Sequence, residues 1–467
     1  MTTKIDIVLI TTPVFDFKLP NPSIYQLKGT LNLHGIQSRC FDLTQESVRH
    51  FGDNYDLINK CLLEHYYKIT ENDNLIKDFY SSFVDTKIKP LNPQWIGINV
   101  HSVYNYKSTS FLTNIIKEKL PEVKIIIGGD GYRDKTVDAN PFNDNIKSDF
   151  WIRGDGELAL VELLKTNIQP EKKEQKINLN SLPFPDYSDY YKDFGNLDSI
   201  AITGSKGCCN KCNYCSISYY HNIYRERTAI NIYKEMRQHC QLYNTKHFQF
   251  SDSIINGNLK RFREFLHLMI KLKEEFQINY SGYFGVNENM VEDDFKLMQK
   301  SNILNPWLGV ESASEKVRQE MNKKFSNKSL YFTIDNLLKN NISPALLFLI
   351  GYPTETKEDF QENIDFLNHY KNNSDKIILS FGETYHVRKE TPAEKLDIYT
   401  QEIPNNILFW KSKIVPDLDF PERVRRRKIL SKISKELGYS FSKVESKNIK
   451  YLDKKLDIYL KYKNGGN

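Results

Sequence analysis

No run of apolar residues in the sequence approaches the roughly 20 that a membrane span needs. The first residues, Met1 to Thr12, lack a basic head, an apolar stretch and a small-residue cleavage site. They run directly into the strand-like Lys4–Ile5–Asp6–Ile7–Val8–Leu9–Ile10. A cytoplasmic protein without a membrane partner is therefore expected. Cysteine is scarce and uneven: of 7 in 467 residues, Cys40, Cys61 and Cys240 stand alone, while Cys208, Cys209, Cys212 and Cys215 share one short segment. A disulfide-stapled secreted chain would spread its cysteines, whereas a tight group in a large chain reads as metal binding. Internal repeats and low-complexity tracts are absent. The net charge is only +6, and part of it lies in Arg423, Arg425, Arg426, Arg427 and Lys428. That run reads as the solvated face of a helix, so nucleic acid is not indicated as a partner.

What is present is α/β patterning in two series. The first has strand-like runs at Ile5–Thr11, Ser38–Asp42, Trp95–Val100, Lys124–Ile127 and Asp149–Arg153, with helix-like stretches between them. This predicts a Rossmann-like parallel sheet over residues 1–180, broken by a helical insert at about 48–90. Gly128–Gly129 and Gly154–Asp155–Gly156–Glu157 follow strands, where open α/β sheets place ligands. A Pro-punctuated linker over 181–195 separates the second series. Its runs at Ser199–Thr203, His247–Ser251, Asn279–Gly285, Pro306–Glu311, Ala345–Ile350 and Ile377–Phe381 predict a partial (β/α)6 barrel over 196–400. Residues 401–467 are expected to be a helical C-terminal segment.

The cysteine segment Gly207–Cys208–Cys209–Asn210–Lys211–Cys212–Asn213–Tyr214–Cys215 follows the first barrel strand. Thiolates suit zinc or iron–sulfur clusters. A structural zinc site closes with four protein ligands, and neighbouring Cys208 and Cys209 would struggle to reach one small ion together. Three thiolates at C-x3-C-x2-C instead cover three corners of a cubane and leave one iron open. Cys208, Cys212 and Cys215 have that spacing, with Cys209 as a bystander. The rival reading is a zinc knot in a non-enzymatic interaction protein.

The spacing, with Tyr214 immediately before the last cysteine, resembles the radical S-adenosylmethionine (SAM) superfamily. Later segments match its order: Asp252–Ser253 after the second barrel strand, Gly309–Val310–Glu311–Ser312, Asn322–Lys323, and Gly351–Tyr352–Pro353–Thr354–Glu355–Thr356. The resemblance implies a [4Fe–4S] cluster on Cys208, Cys212 and Cys215, and SAM contacts from Tyr214, Asp252, Ser253, Glu311, Ser312 and Gly351. Asp252 has an alternative reading as the cap of the following helix. The N-terminal half resembles the cobalamin-binding domain fused to many radical SAM enzymes. That implies a corrin site among Thr11, Thr12, His101, Ser102, Gly128, Gly129, Gly154, Gly156 and Glu157. The sequence has no Asp-x-His-x-x-Gly, so no histidine is assigned to cobalt by motif. It also lacks the second three-cysteine set of methylthiotransferases and a Gly-x-Gly-x-x-Gly after the first strand.

The resemblance implies SAM cleavage to a 5′-deoxyadenosyl radical and cobalamin-dependent methylation of an unactivated carbon. Cyclisation or rearrangement, with or without cobalamin, is the alternative outcome. An electron donor such as flavodoxin or ferredoxin would be a partner, and the substrate is not identified. Tyr385 and His386, after the last barrel strand, are the candidate catalytic residues.

Overall fold

The first five strand-like runs form one sheet in the computed structural model. The structure describes residues 4–13, 19–63, 68–129, 131, 145–170, 177–217, 221, 223–388, 391–403, 406–442 and 445–464. The chain divides into two units, Met1–Ala201 with Gln238–Thr245, and Ile202–Arg237 with Lys246–Asn467.

In the first unit β1 (Ile7–Thr11), β2 (Ser38–Asp42), β3 (Trp95–Asn99), β4 (Lys124–Gly128) and β5 (Phe150–Ile152) pair in parallel in the order β2-β1-β3-β4-β5. Near-continuous Ile, Val and Leu runs suit strands covered on both faces. The order reverses between β1 and β3, the point where such sheets open a ligand crevice at their C-terminal edge. Thr11, Asn99 and Gly128 stand level there, in register across β1, β3 and β4.

The expected insert is helical, with helices at Leu43–Phe51, Tyr55–Leu63 and Asp73–Phe83 and a wide π-type turn at Val84–Ile88. It is part of the sheet's own core: Ile58, Cys61, Ile76, Phe79 and Phe83 join Val8, Ile10, Ile96 and Ile98 in one apolar cluster. A buried ion pair accompanies it, Lys107 Nζ to Asp73 at 2.6 Å. The segment expected as a linker is also packed. Its helix Ser188–Phe194 places Asp189 2.5 Å from Lys28 and 2.8 Å from Arg39, and Asp193 2.5 Å from Arg39. Proline set its extended entry, but these carboxylates dock it within the first unit, which continues to Ala201.

The unit boundary falls inside β6 (Ser199–Ile202). A two-stranded antiparallel pair, β7 (Ser205–Lys206) and β8 (Arg225–Glu226), frames the cysteine segment. The remaining barrel strands are β9 (His247–Phe250), β10 (Asn279–Ser281), β11 (Tyr283–Phe284), β12 (Trp307–Glu311), β13 (Ala345–Ile350) and β14 (Ile378–Thr384). They run in two sheets, β10-β9-β6 and β11-β12-β13-β14-β17, where β17 is Ser440–Phe441. Gly282 alone separates β10 from β11, so both sheets share the third strand of the expected six. Leu308, Leu346 and Leu379 stand in register and are buried, whereas Gly309, Leu347 and Ser380 form a register row that is partly accessible. This alternation separates the helix-covered face from the lumen face.

The C-terminal segment is not helical throughout. A hairpin of β15 (Tyr399–Gln401) and β16 (Trp410–Ser412) precedes the helix Phe420–Glu436, then β17 extends the barrel sheet beside β14 before the helix Glu445–Lys463. The arginine run departs further from expectation. Arg423, Arg426 and Arg427 are 0%, 1% and 0% exposed. Their spacing of three and four puts them on one helix face, and their guanidinium groups donate to backbone carbonyls within and just after β14, in the turn after β13 and at the β15–β16 hairpin. A guanidinium carries five donors on a long apolar stem, so it can be buried wherever carbonyls are left unpaired. Arg425 and Lys428 alone of this run are solvated, paired with Glu422 and Asp453.

Lys107→Met would leave the Asp73 carboxylate buried without a cation, held only by the Thr70 N–H and hydroxyl at 2.9 and 2.7 Å, and should lower stability to urea by about 3–5 kcal/mol. Adding Asp73→Asn should recover part of that loss, because no uncompensated charge remains. Equal losses in the single and double variants would contradict a buried ion pair.

Candidate functional site

The cysteine segment leaves β6 through a clamped loop. Asp252, after β9, accepts the Gly204 N–H at 2.7 Å and the Ser205 hydroxyl at 2.7 Å, so both carboxylate oxygens hold the chain leading to Cys208. Burial lifts Asp252 to about 6 against these hydrogen bonds. Ser253 beside it is half-buried. Asp252 therefore meets the loop rather than capping the next helix, whose cap is Asn258.

Cys212 is buried, Cys208 and Cys215 are half-buried and Cys209 is exposed. The segment is fastened from one side by the turn after helix Glu315–Glu320. The Asn213 N–H donates to the Met321 carbonyl at 2.9 Å, Asn213 Nδ2 to the Glu320 carbonyl at 2.9 Å, and Asn322 Nδ2 to the Lys211 carbonyl at 2.6 Å. Ala393 N–H adds a bond to the Asn213 carbonyl at 2.9 Å. Burial pushes the Cys212 and Cys215 thiols up, and the Lys323 ammonium opposes this at both. The Cys208 and Cys209 thiols share a hydrogen bond that raises Cys208 and lowers Cys209.

Lys323 sits in a charged trio with Glu311 and Tyr214. Lys323 Nζ lies 2.6 Å from Glu311 Oε1, the Tyr214 hydroxyl donates to the same oxygen at 2.9 Å, and Lys323 Nζ is 3.3 Å from the Tyr214 oxygen. Burial, then the Glu311 charge, raises Tyr214 well above its ordinary value, so it stays a donor. Glu311 has φ +64, and the pairing of β12 with β13 slips between Gly309 and Glu311. A non-glycine residue in that region is uncommon; the slip turns its carboxylate to Lys323 and Tyr214. The sequence singled out Tyr214 and Glu311, but Lys323 only as part of an Asn–Lys match. Its signal is a lysine placed by a turn, which no periodicity identifies.

Ser312 is buried and its hydroxyl accepts the Ser314 N–H at 3.2 Å, so it shapes the turn after β12. Gly351 follows β13 with φ +78, and a Cβ there would lie 2.5 Å from Arg423 Cγ, so only glycine fits. Tyr385 is buried in a packed wall with Tyr352, Trp410, Val317 and Met321, against which Tyr214 also rests. His386 Nε2 lies 3.0 Å from a Glu383 carboxylate oxygen. Tyr214 and Glu311 meet beside the loop of Cys208, Cys212 and Cys215, Asp252 holds the chain entering that loop, and Ser312, Gly351 and Tyr385 shape neighbouring turns and walls. Among the described residues no three Cys, His, Asp or Glu side chains stand close enough to hold one metal ion.

In the first unit the sequence-predicted residues occupy the C-terminal edge of the sheet. Thr11 and Thr12 are fully buried: Thr11 accepts Asn21 Nδ2 at 3.1 Å, and the Thr12 hydroxyl meets that of Thr109 at 3.1 Å. His101 is exposed, and the Ser102 N–H donates to Asn105 Oδ1 at 2.8 Å. Gly128 ends β4, Gly154 follows β5, and Gly156 and Glu157 open the next helix. At Gly129 φ is +109, and a Cβ would lie 2.3 Å from Asn99 Oδ1 and 2.5 Å from the Val100 carbonyl. Backbone here approaches backbone as closely as glycine allows. Asn99, absent from the sequence expectations, is buried at this edge with its Nδ2 unpartnered among the described residues. A buried unpaired amide donor beside a glycine cradle suits a ligand rich in hydrogen-bond acceptors.

Residues 202–367 match the model of the Radical SAM superfamily. An uncharacterized methyltransferase of Pyrococcus horikoshii is 25% identical over 374 residues, covering 74% of this chain and 76% of that protein. The ribosomal protein uS12 methylthiotransferase RimO of Clostridioides difficile is 24% identical over 244 residues, covering 49% of this chain and 52% of its own. Among solved structures, the radical SAM methyltransferase TsrM from Kitasatospora setae, with cobalamin and a [4Fe–4S] cluster bound, aligns with a TM-score of 0.61 at 13% identity over 87% of this chain and 82% of that one. The cobalamin-dependent radical SAM enzyme OxsB, with aqua-cobalamin and SAM bound, aligns at 0.59 and 14% identity over 84% of this chain and 55% of that one. At these identities the structural likeness establishes the fold. Residues 202–367 form a Radical SAM superfamily domain, and the chain has the fold of the cobalamin-binding radical SAM enzymes TsrM and OxsB.

Proposed function

We propose that the chain binds a [4Fe–4S] cluster through Cys208, Cys212 and Cys215, cleaves SAM beside it, and methylates an unactivated carbon with cobalamin held by the first unit. The observation that carries this reading is the cysteine loop backed by the Tyr214–Glu311–Lys323 trio. Three thiols in a fastened loop at superfamily spacing support this donor set. The glycine cradle and the unpaired Asn99 amide fit a corrin with its amide-rich periphery. When bound, the cluster supplies the electron that breaks a sulfonium C–S bond, and cobalamin supplies a methyl carrier.

The chain's own residues place the reactants and keep charge in balance. Lys323 offers a fixed cation next to the thiolates and to the carboxylate of a methionine moiety, while Glu311 and Tyr214 hold its ammonium in place. Asp252 positions the loop through Gly204 and Ser205. The Gly351 turn and Ser312 line the nucleoside side. Tyr385 serves as wall, and the His386–Glu383 pair at the end of β14 is the site for moving a proton at substrate. Thr11, Thr12, His101, Ser102, Gly128, Gly129, Gly154, Gly156 and Glu157 form the edge that takes cobalamin, joined by Asn99. A low-potential donor such as flavodoxin or ferredoxin supplies electrons. The reducing cytoplasm is the compartment thiol ligands need. Among the described residues no helix is long and apolar enough to cross a membrane.

Anaerobically reconstituted protein should hold about four irons per chain. Cys208→Ala, Cys212→Ala and Cys215→Ala should each lose most of that iron, and Cys209→Ala should keep it. Loss on Cys209→Ala alone, or zinc in place of iron, would overturn the ligand assignment. With SAM, hydroxocobalamin and reductant, chromatography should detect 5′-deoxyadenosine together with S-adenosylhomocysteine. The first product without the second contradicts methyl transfer and favours cyclisation or rearrangement. Asn99→Ala should weaken cobalamin binding about tenfold, read from the corrin spectrum, and leave the iron content unchanged. Unchanged corrin affinity would remove Asn99 from the site.

A further inference from the structure

Helix Phe420–Glu436 begins at Asp419, which accepts the Glu422 N–H at 2.9 Å, and it carries its arginines into the barrel. Arg426 Nη1 reaches three acceptors in one turn: the Glu355 carbonyl at 2.8 Å, Glu355 Oε1 at 2.9 Å and the Thr356 carbonyl at 3.0 Å. Its Nε is held by Glu422 at 3.0 Å. The other Glu355 oxygen accepts the Gly351 N–H at 3.4 Å. Glu355 therefore spans its turn, from the first residue to the arginine behind it. Both side chains are essentially inaccessible, at 1% for Arg426 and 0% for Glu355. Arg423 supports the same turn from another side. Its stem packs against Gly351, its guanidinium lies 3.7 Å from the Trp410 ring centroid, and it donates to the Tyr385, Leu408 and Trp410 carbonyls at 2.8, 2.7 and 3.0 Å.

A buried ion pair is a costly way to hold a loop, and an apolar pair often holds one as well. Here the pair acts on backbone: it fixes the Gly351 N–H and two carbonyls at once, which apolar residues cannot do. Two polar atoms of this assembly, Thr354 Oγ1 and Arg426 Nη2, are buried without a partner among the described residues. Buried groups left unpaired call for a ligand or water.

We propose that Arg426 and Glu355 are positioning residues that set the Gly351–Thr356 turn for the nucleoside end of SAM, a role that rests on SAM binding at this turn as proposed above. The helix carrying Arg426 lies well beyond residues 202–367, so the superfamily domain depends for this turn on a later segment.

The test is binding of S-adenosylhomocysteine to reconstituted protein by calorimetry, with iron content and melting temperature measured on each sample. Glu355→Gln and Arg426→Gln should each weaken binding by about 10- to 100-fold while iron content stays at the wild-type level. Arg426→Lys, which keeps charge but not the planar fork, should fall between. Lys432→Ala, on the exposed side of the same helix, should leave affinity unchanged. If Arg426→Gln does not fold, Glu355→Gln and Arg426→Lys carry the test, since the first keeps size and an acceptor oxygen and the second keeps the positive charge and a donor. Gln variants that bind within twofold of wild type overturn the positioning role and leave the proposed function standing. A parallel loss of affinity, iron and melting temperature, unrelieved by Arg426→Lys, also overturns it, in favour of general support of the barrel. Wild-type protein that holds iron but binds no S-adenosylhomocysteine removes the proposed function and this role together.

Discussion

In the proposed function three cysteines on one short loop lose their protons to bind iron, and burial works against that at Cys212 and Cys215. The Lys323 ammonium is the counterweight. It lies among groups whose own positions are fixed, with Glu311 2.6 Å away and Tyr214 donating to the same carboxylate oxygen. That arrangement depends in turn on backbone, since Glu311 reaches it only through a slipped β12–β13 register and a positive φ. Asn213 and Asn322 then tie the cysteine segment to the turn that carries Lys323. Ligand loop, cation and strand end thus behave as one unit, in which a local bend in β12 determines where positive charge meets the thiols.

Backbone polar groups govern one side of the barrel as well. Carbonyls in β14, in the turn after β13 and at the β15–β16 hairpin are approached by buried side chains, and a buried carbonyl needs a donor. The helix Phe420–Glu436 supplies donors through Arg423, Arg426 and Arg427. Their targets are Tyr385, Leu408 and Trp410, then Glu355 and Thr356, then Phe381 and Gly382. Contact at this side of the barrel is therefore polar and multivalent.

Much of this was legible in the sequence, and the rest was hidden for definable reasons. Strands announced themselves through β-branched runs, so all five of the first unit and the six barrel positions fall where alternation and length put them. The cysteine spacing identified its loop, and Tyr214 and Glu311 came with it. The arginine run misled because charge patterning cannot distinguish a guanidinium in water from one among carbonyls. The linker misled because Pro183 and Pro185 describe local backbone, while Asp189 and Asp193 decide docking through partners at Lys28 and Arg39. Asn99 and Lys323 were not singled out as site residues because their significance lies in what stands beside them in space. Asp252 was placed near the site, but that both its oxygens hold Gly204 and Ser205 is a fact of geometry alone.

The proposed site is a three-cysteine cluster with one iron open to SAM. Electron paramagnetic resonance of the anaerobically reconstituted, reduced protein, recorded with and without SAM, tests it most directly. The expected result is the signal of a reduced [4Fe–4S] cluster whose g-values shift when SAM is added, because the ligand joins the open iron. A protein with no such signal, or with one that SAM leaves unaltered, contradicts it.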